Sequence, residues 1–94
     1  MELAQLKMVR AVAQTGSVAQ AAVQLHCVPS NITARLKSLE RELGTALFSR
    51  DGRGLRITPA GEVFLDYTTK ILGLAEEARR ALAPDSAPSG PLRI

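Results

Sequence analysis

Residues 17–44, SVAQAAVQLHCVPSNITARLKSLERELG, read as two short helices joined by a tight turn. The Ser17 hydroxyl can accept from the free N–H groups of a first helical turn, and Gln20, three residues on, completes a capping box by returning a bond to the Ser17 N–H. The first helix therefore begins at Ser17. Val18, Ala21, Ala22 and Leu25 give it one apolar side of mostly small residues, which lets another helix approach closely, and the pattern stops at His26-Cys27-Val28. Pro29 opens the second helix, because it has no N–H to leave unsatisfied and its φ is already near the helical value. Ile32, Leu36, Leu39 and Leu43 recur at steps of four, three and four, one buried stripe, and Gly44 ends the helix. The pair has the form of a helix-turn-helix.

The other face of the second helix carries Ser30, Asn31, Thr33, Ala34, Arg35, Lys37, Ser38 and Arg41, with no acid before Glu40 and Glu42. Short polar groups come first and cations follow. A helix that reads DNA needs this order, since its N-terminal residues enter the major groove while nearby cations and N–H groups hold phosphates. An ordinary amphipathic helix with a solvated face has the same pattern, so the helix alone leaves both readings open.

Charge placement narrows the choice. The chain has 94 residues, enough for one small domain, and a formal net charge of +3 from 12 Lys+Arg and 9 Asp+Glu. Residues 28–56 hold six of those bases and three of the acids, so the excess lies wholly on the second helix and the loop after it, while the remainder is balanced. This is the footprint expected on a polyanion. A membrane surface is disfavoured, for there is no long apolar run, signal-peptide pattern or strongly basic amphipathic helix. Cys27 is alone and cannot form an intrachain disulfide, which fits a reducing compartment; with one His and one Cys there is no metal ligand set. No paired carboxylates, activated nucleophile or phosphate-binding glycine loop is present, so no catalytic residues are expected.

Outward from the motif, an opening helix is expected from Glu2 to Gln14, with Leu3, Leu6, Val9, Val12 and Ala13 buried and Thr15-Gly16 closing it. After Gly44, Leu47 and Phe48 face Leu55 and Ile57 across Asp51 to Gly54, the signal of a β-hairpin, with Arg50 and Arg53 at or beside its tip. An Arg there can reach a phosphate or enter a narrow minor groove. Thr58-Pro59 caps and opens a last helix running to about Ala83. Ala60, Phe64, Tyr67, Ile71, Leu74, Ala78 and Ala81 follow the 3.5-residue spacing of a coiled-coil seam. A second apolar set, Val63, Leu65, Leu72 and Ala75, is expected to pack on the chain's own core.

These residues together resemble the N-terminal DNA-binding region of the LysR-type transcriptional regulators. The likeness is carried by Leu3, Leu6, Val12 and Ala13 with Gly16-Ser17, by Ala21-Ala22 with Leu25, by Leu39-Glu40 and Leu43-Gly44, by Leu47-Phe48 with Arg50 and Arg53, and by Leu55 or Ile57 leading into Thr58, Ala60 and Gly61. The resemblance implies a mainly α fold: a winged helix-turn-helix of three helices plus a short β-hairpin wing over 1–58, a linker and dimerisation helix over 59–83, and a hinge over 84–94 toward an effector-binding domain absent from this chain. It implies major-groove contacts from Pro29, Ser30, Thr33 and Ala34, base or phosphate contacts from Asn31, Arg35 and Lys37, wing contacts from Arg50 and Arg53, and an antiparallel dimer seam at Phe64, Tyr67, Ile71, Leu74 and Ala78. The chain departs from the family where many members have Ser-Gln-Pro or Ser-Gln-Ser. Val28-Pro29-Ser30 stands there, without the capping serine and the base-reading glutamine.

The expected function is sequence-specific binding of duplex DNA as a homodimer on an inverted-repeat promoter site, in the cytoplasm on the nucleoid. The fragment itself needs no cofactor; a small-molecule effector is expected for the missing domain, and RNA polymerase and a full-length tetramer are carried as further partners and assembly. Two rivals stay open: a helix-turn-helix DNA binder of another regulator family, and a winged-helix module whose basic face binds an acidic protein.

Overall fold

The computed structural model describes residues 1–52 and 54–84; Arg53 and most of the expected hinge, 85–94, lie outside them. In chain order the elements are α1 (Leu3–Thr15), α2 (Val18–Leu25), α3 (Pro29–Leu43), β1 (Phe48–Asp51), β2 (Gly54–Ile57) and α4 (Pro59–Leu82). The three expected helices, the hairpin and the long helix are all present.

Local cap chemistry sets the boundaries, with two corrections. The capping box is on α1, where Glu2 is the N-cap and its N–H donates to Gln5 Oε1 at 2.8 Å. Ser17 does cap α2, accepting from the Gln20 N–H at 3.1 Å, but stands outside the helix, and its own N–H donates to Thr15 Oγ1 at 3.2 Å. The Ser17 N–H is thus bonded to the Thr15 hydroxyl where a return bond from Gln20 was expected. Gly16 and Gly44 end α1 and α3 in the left-handed conformation, at φ 73° and 75°. At the end of α2 a histidine takes that conformation: His26 has φ 58°, and the Cys27 N–H closes the end on the Ala22 carbonyl at 3.0 Å.

Val9, Val12, Ala21, Ile32, Leu39 and Leu47 are almost wholly buried, so α1, α2, α3 and the residue before β1 share one core. Each large aliphatic side chain buried there contributes about 1.5–3 kcal/mol. Leu43 and Cys27 are half-buried against it. The hairpin pairs antiparallel with Phe48 opposite Ile57 and Asp51 opposite Gly54; Leu47, expected in the strand, is instead a core residue just before it. Two further bonds anchor the hairpin: the Leu55 N–H donates to the Gly16 carbonyl at 3.4 Å and the Thr58 N–H to the Leu47 carbonyl at 2.9 Å.

The long helix α4 packs along α1, with Gly61, Thr68 and Leu72 buried and Leu65 half-buried against the core. Two assignments of its faces change. Phe64, expected in the dimer seam, packs against the chain's own core, and Val63, expected in that core, is 60% exposed. The 100° step per residue explains both: positions 61, 64, 65, 68 and 72 fall on one side, and 63 falls opposite.

Candidate nucleic-acid interface

The α3 surface divides into three strips by the same helical step. Ser30, Ala34, Lys37 and Arg41 lie opposite the buried stripe of Ile32, Leu36 and Leu39; Thr33 leans toward the wing; Asn31, Arg35 and Ser38 lean toward the start of α1. Of the expected contacts, Pro29, Ser30, Asn31, Thr33, Ala34 and Lys37 are all exposed, and Arg35 is half-buried.

Ion pairing sorts the cations that composition could only count. The Arg35 guanidinium meets Glu2 Oε1 at 2.7 Å, and Arg56 meets Asp51 at 3.2 Å. Gln5 Nε2 donates to the Arg35 carbonyl at 3.1 Å, and the Met1 ammonium pairs with Glu42 at 2.8 Å. These contacts staple the start of α1 to α3, so Arg35 already has a partner where the sequence suggested a free DNA contact. Lys37, Arg41 and Arg50 have no ion-pair partner among the described residues.

Glu40 has a role that sequence reasoning missed. Its Oε2 accepts from the backbone N–H groups of Leu47 at 2.7 Å and Phe48 at 3.2 Å, tying the hairpin to α3. In the sequence Glu40 shows only as one of two acids closing a basic face and as part of the Leu39-Glu40 pair, because the bond crosses a loop whose path the sequence does not spell out. The tether leaves a cleft of about 170 Å³ between α3 and the wing. Its floor is the buried Leu36 with half-buried Val18, Phe48 and Leu55; exposed Thr33, Lys37 and Arg50 stand around it, with half-buried Glu40.

At the entry to α3, Val28 is the N-cap and offers no side-chain bond to the first turn. Val28→Ser should therefore stabilise the domain by about 1 kcal/mol, read as a higher urea midpoint; an unchanged midpoint would mean that the first turn gains nothing from a side-chain acceptor.

On α4, Tyr67 and Leu74 are 57% and 64% exposed on the same side as Val63, and Ala78 is exposed with them. Lys70 stands over the Tyr67 ring at 5.4 Å from its centroid. Ile71 is half-buried between the two faces. Beyond the core, Arg79 binds Glu76 and holds its carboxyl below the ordinary carboxylate value. No helix among the described residues is long and apolar enough to cross a membrane.

Comparison with known proteins gives one answer in sequence and in structure. The chain is 48% identical over its full 94 residues to the uncharacterized HTH-type transcriptional regulator YusT of Bacillus subtilis, spanning 32% of that protein. It is 48% identical over 82 residues to the HTH-type transcriptional regulator GltR of the same organism, 87% of this chain and 28% of that one. It thus spans about a third of the length of the curated relatives it matches. Among solved structures, the CbnR DNA-binding domain in complex with DNA superposes with TM-score 0.79 at 40% identity, covering 88% of this chain and 100% of that one. The BenM DNA-binding domain on the catB site 1 DNA superposes with TM-score 0.86 at 29% identity, covering 93% and 98%. The fold is the winged helix of such domains. The family model described as "Bacterial regulatory helix-turn-helix protein, lysR family" matches residues 3–62, the whole helix-turn-helix and wing up to the first turn of α4, and with that match the chain belongs to the lysR family.

Proposed function

We propose that this chain binds duplex DNA sequence-specifically as a homodimer, with α3 in the major groove and the wing on the minor groove or backbone. The observation that carries this is the alignment of unpaired Lys37 and Arg41 with Ser30 and Ala34 on the one α3 face turned away from the core, with Arg50 of the wing beside it. Polar groups for base edges and cations for phosphates lie together with no acid competing on that strip. The DNA complexes of CbnR and BenM, which share the fold, support the same reading.

Pro29 and Ala34 offer only apolar contact, for instance to a thymine methyl, whereas Ser30, Asn31 and Thr33 can hydrogen-bond to base edges. Arg53, on its sequence position alone, is assigned to the wing contacts with Arg50. The paired face is Tyr67, Leu74 and Ala78, joined by Val63 and flanked by Ile71. Two recognition helices held in this way would meet an imperfect inverted repeat about one turn or a small multiple of turns apart. The full regulator is proposed to work in the cytoplasm on the nucleoid, with a small-molecule effector on a further domain, and no catalytic step is assigned to the residues present.

Selection of bound duplexes from a random pool, then anisotropy titration of the winner against a scrambled duplex at two salt concentrations, tests this. An enriched inverted repeat with steep salt dependence is expected; equal affinity for scrambled DNA would overturn it. Lys37→Ala should weaken binding to all sequences alike and flatten the salt dependence by at most about one unit.

A further inference from the structure

We infer that the cleft between α3 and the wing seats one sugar-phosphate unit of the DNA backbone, with Lys37 and Arg50 sharing a single phosphate; this rests on the DNA-binding reading above. The cleft pairs an apolar floor of Val18, Leu36, Phe48 and Leu55 with the cations Lys37 and Arg50. Its occupant must therefore be apolar on one side and anionic on the other. A backbone nucleotide is built this way, with the C–H edge of deoxyribose next to a phosphate.

Shape and charge favour that occupant. The cleft measures about 170 Å³. It continues into a second cleft of about 210 Å³ that shares Val18, Thr33, Arg50 and Leu55 and reaches Gly16, Ser17 and Gly54. A continuous furrow beside the recognition face suits a strand running through it better than a molecule enclosed in it. Glu40 is the one acid on the rim, and its Oε2 is held by the Leu47 and Phe48 N–H groups, which fixes that oxygen on the backbone. The Thr33 hydroxyl adds a neutral donor at the wing side of α3. The two cations come from separate elements, one from the helix and one from the hairpin, so a shared phosphate also locks the wing against the recognition helix when DNA is bound.

The test uses the fact that the salt dependence of binding counts phosphates neutralised, not cations supplied. Lys37→Gln, Arg50→Gln and the double variant are titrated with the selected duplex across a salt series. A shared phosphate predicts that the double variant lowers the slope by about one in total, each single variant by less. In parallel, methylphosphonate replaces one backbone phosphate at a time. One position per half-site should cost the wild type about tenfold in affinity and the double variant nothing. A fall of about two in the slope of the double variant, or separate sensitive phosphates for the two cations, would overturn the shared seat while leaving the DNA-binding reading intact. Wild-type protein with no preference among duplexes would remove that reading and the seat with it.

Discussion

Gly61→Ala is expected to lower the stability of this domain by about 3 kcal/mol, because it makes the tightest clash that an added Cβ meets at any of the described glycines. Gly61 is buried in the first turn of α4, where a Cβ would stand 2.2 Å from the Leu47 carbonyl oxygen, 2.7 Å from Ile57 Cγ1 and 3.1 Å from the Leu47 carbonyl carbon. Two of these three atoms are backbone and cannot swing aside. The same Leu47 carbonyl accepts the Thr58 N–H at 2.9 Å, and the Thr58 hydroxyl donates to the Ala46 carbonyl at 2.7 Å while accepting from the Gly61 N–H at 2.9 Å. Moving α4 outward therefore breaks the cap that begins it. The helix-propensity gain of alanine over glycine, about 1 kcal/mol, works against the clash and does not offset it.

Gly73→Ala is the matched control. It sits in the same helix, exposed, with nothing within 4 Å of an added Cβ, so it should gain up to about 1 kcal/mol. Urea unfolding of the two variants beside the wild type gives the comparison. Equal midpoints for Gly61→Ala and wild type would mean that α4 and the hairpin do not meet as tightly as described.

Charging the exposed seam of α4 should have the largest functional effect. Tyr67→Glu with Leu74→Glu is expected to turn the proposed dimer into a monomer and to lower affinity for a full inverted repeat by about 10²–10⁴, the usual loss when two linked binding events become one. Affinity for a single half-site should hardly change. The two positions are chosen because they are 57% and 64% exposed, so glutamate there enters no core and removes only the Lys70 contact with the Tyr67 ring, with a stability change of about 0.5–1 kcal/mol. Phe64 and Ile71 are unsuitable because both are half-buried, and a charge at Phe64 would enter the core it packs on. Light scattering gives the oligomeric state and anisotropy the affinity. Dimers that persist in the double variant would place self-association on another surface.

The sequence alone determined the kind and order of the elements, because the signals for them lie within a turn or two of chain. Ser17 before an apolar run, Pro29 opening and Gly44 closing a helix, Thr58-Pro59 opening another, and the alternation around Asp51 to Gly54 each depend on neighbours at most four or five residues away. The exposed face of α3 was legible for the same reason, since the 3.6-residue period that buries Ile32, Leu36 and Leu39 leaves Ser30, Ala34, Lys37 and Arg41 outside. The tertiary structure decided what each exposed or apolar residue meets. It paired Arg35 with Glu2, thirty-three residues earlier, and left Lys37 and Arg50 without ion pairs among the described residues. It set Glu40 to hold the wing, turned Phe64 inward and Val63 outward, and required a glycine at 61 against the Leu47 carbonyl. Periodicity fixes which residues share a face, but a face with two apolar stripes does not say which stripe meets the core. A composition of charges does not say which are neutralised. Both depend on contacts between elements far apart in the chain, and these exist only once the helices have packed.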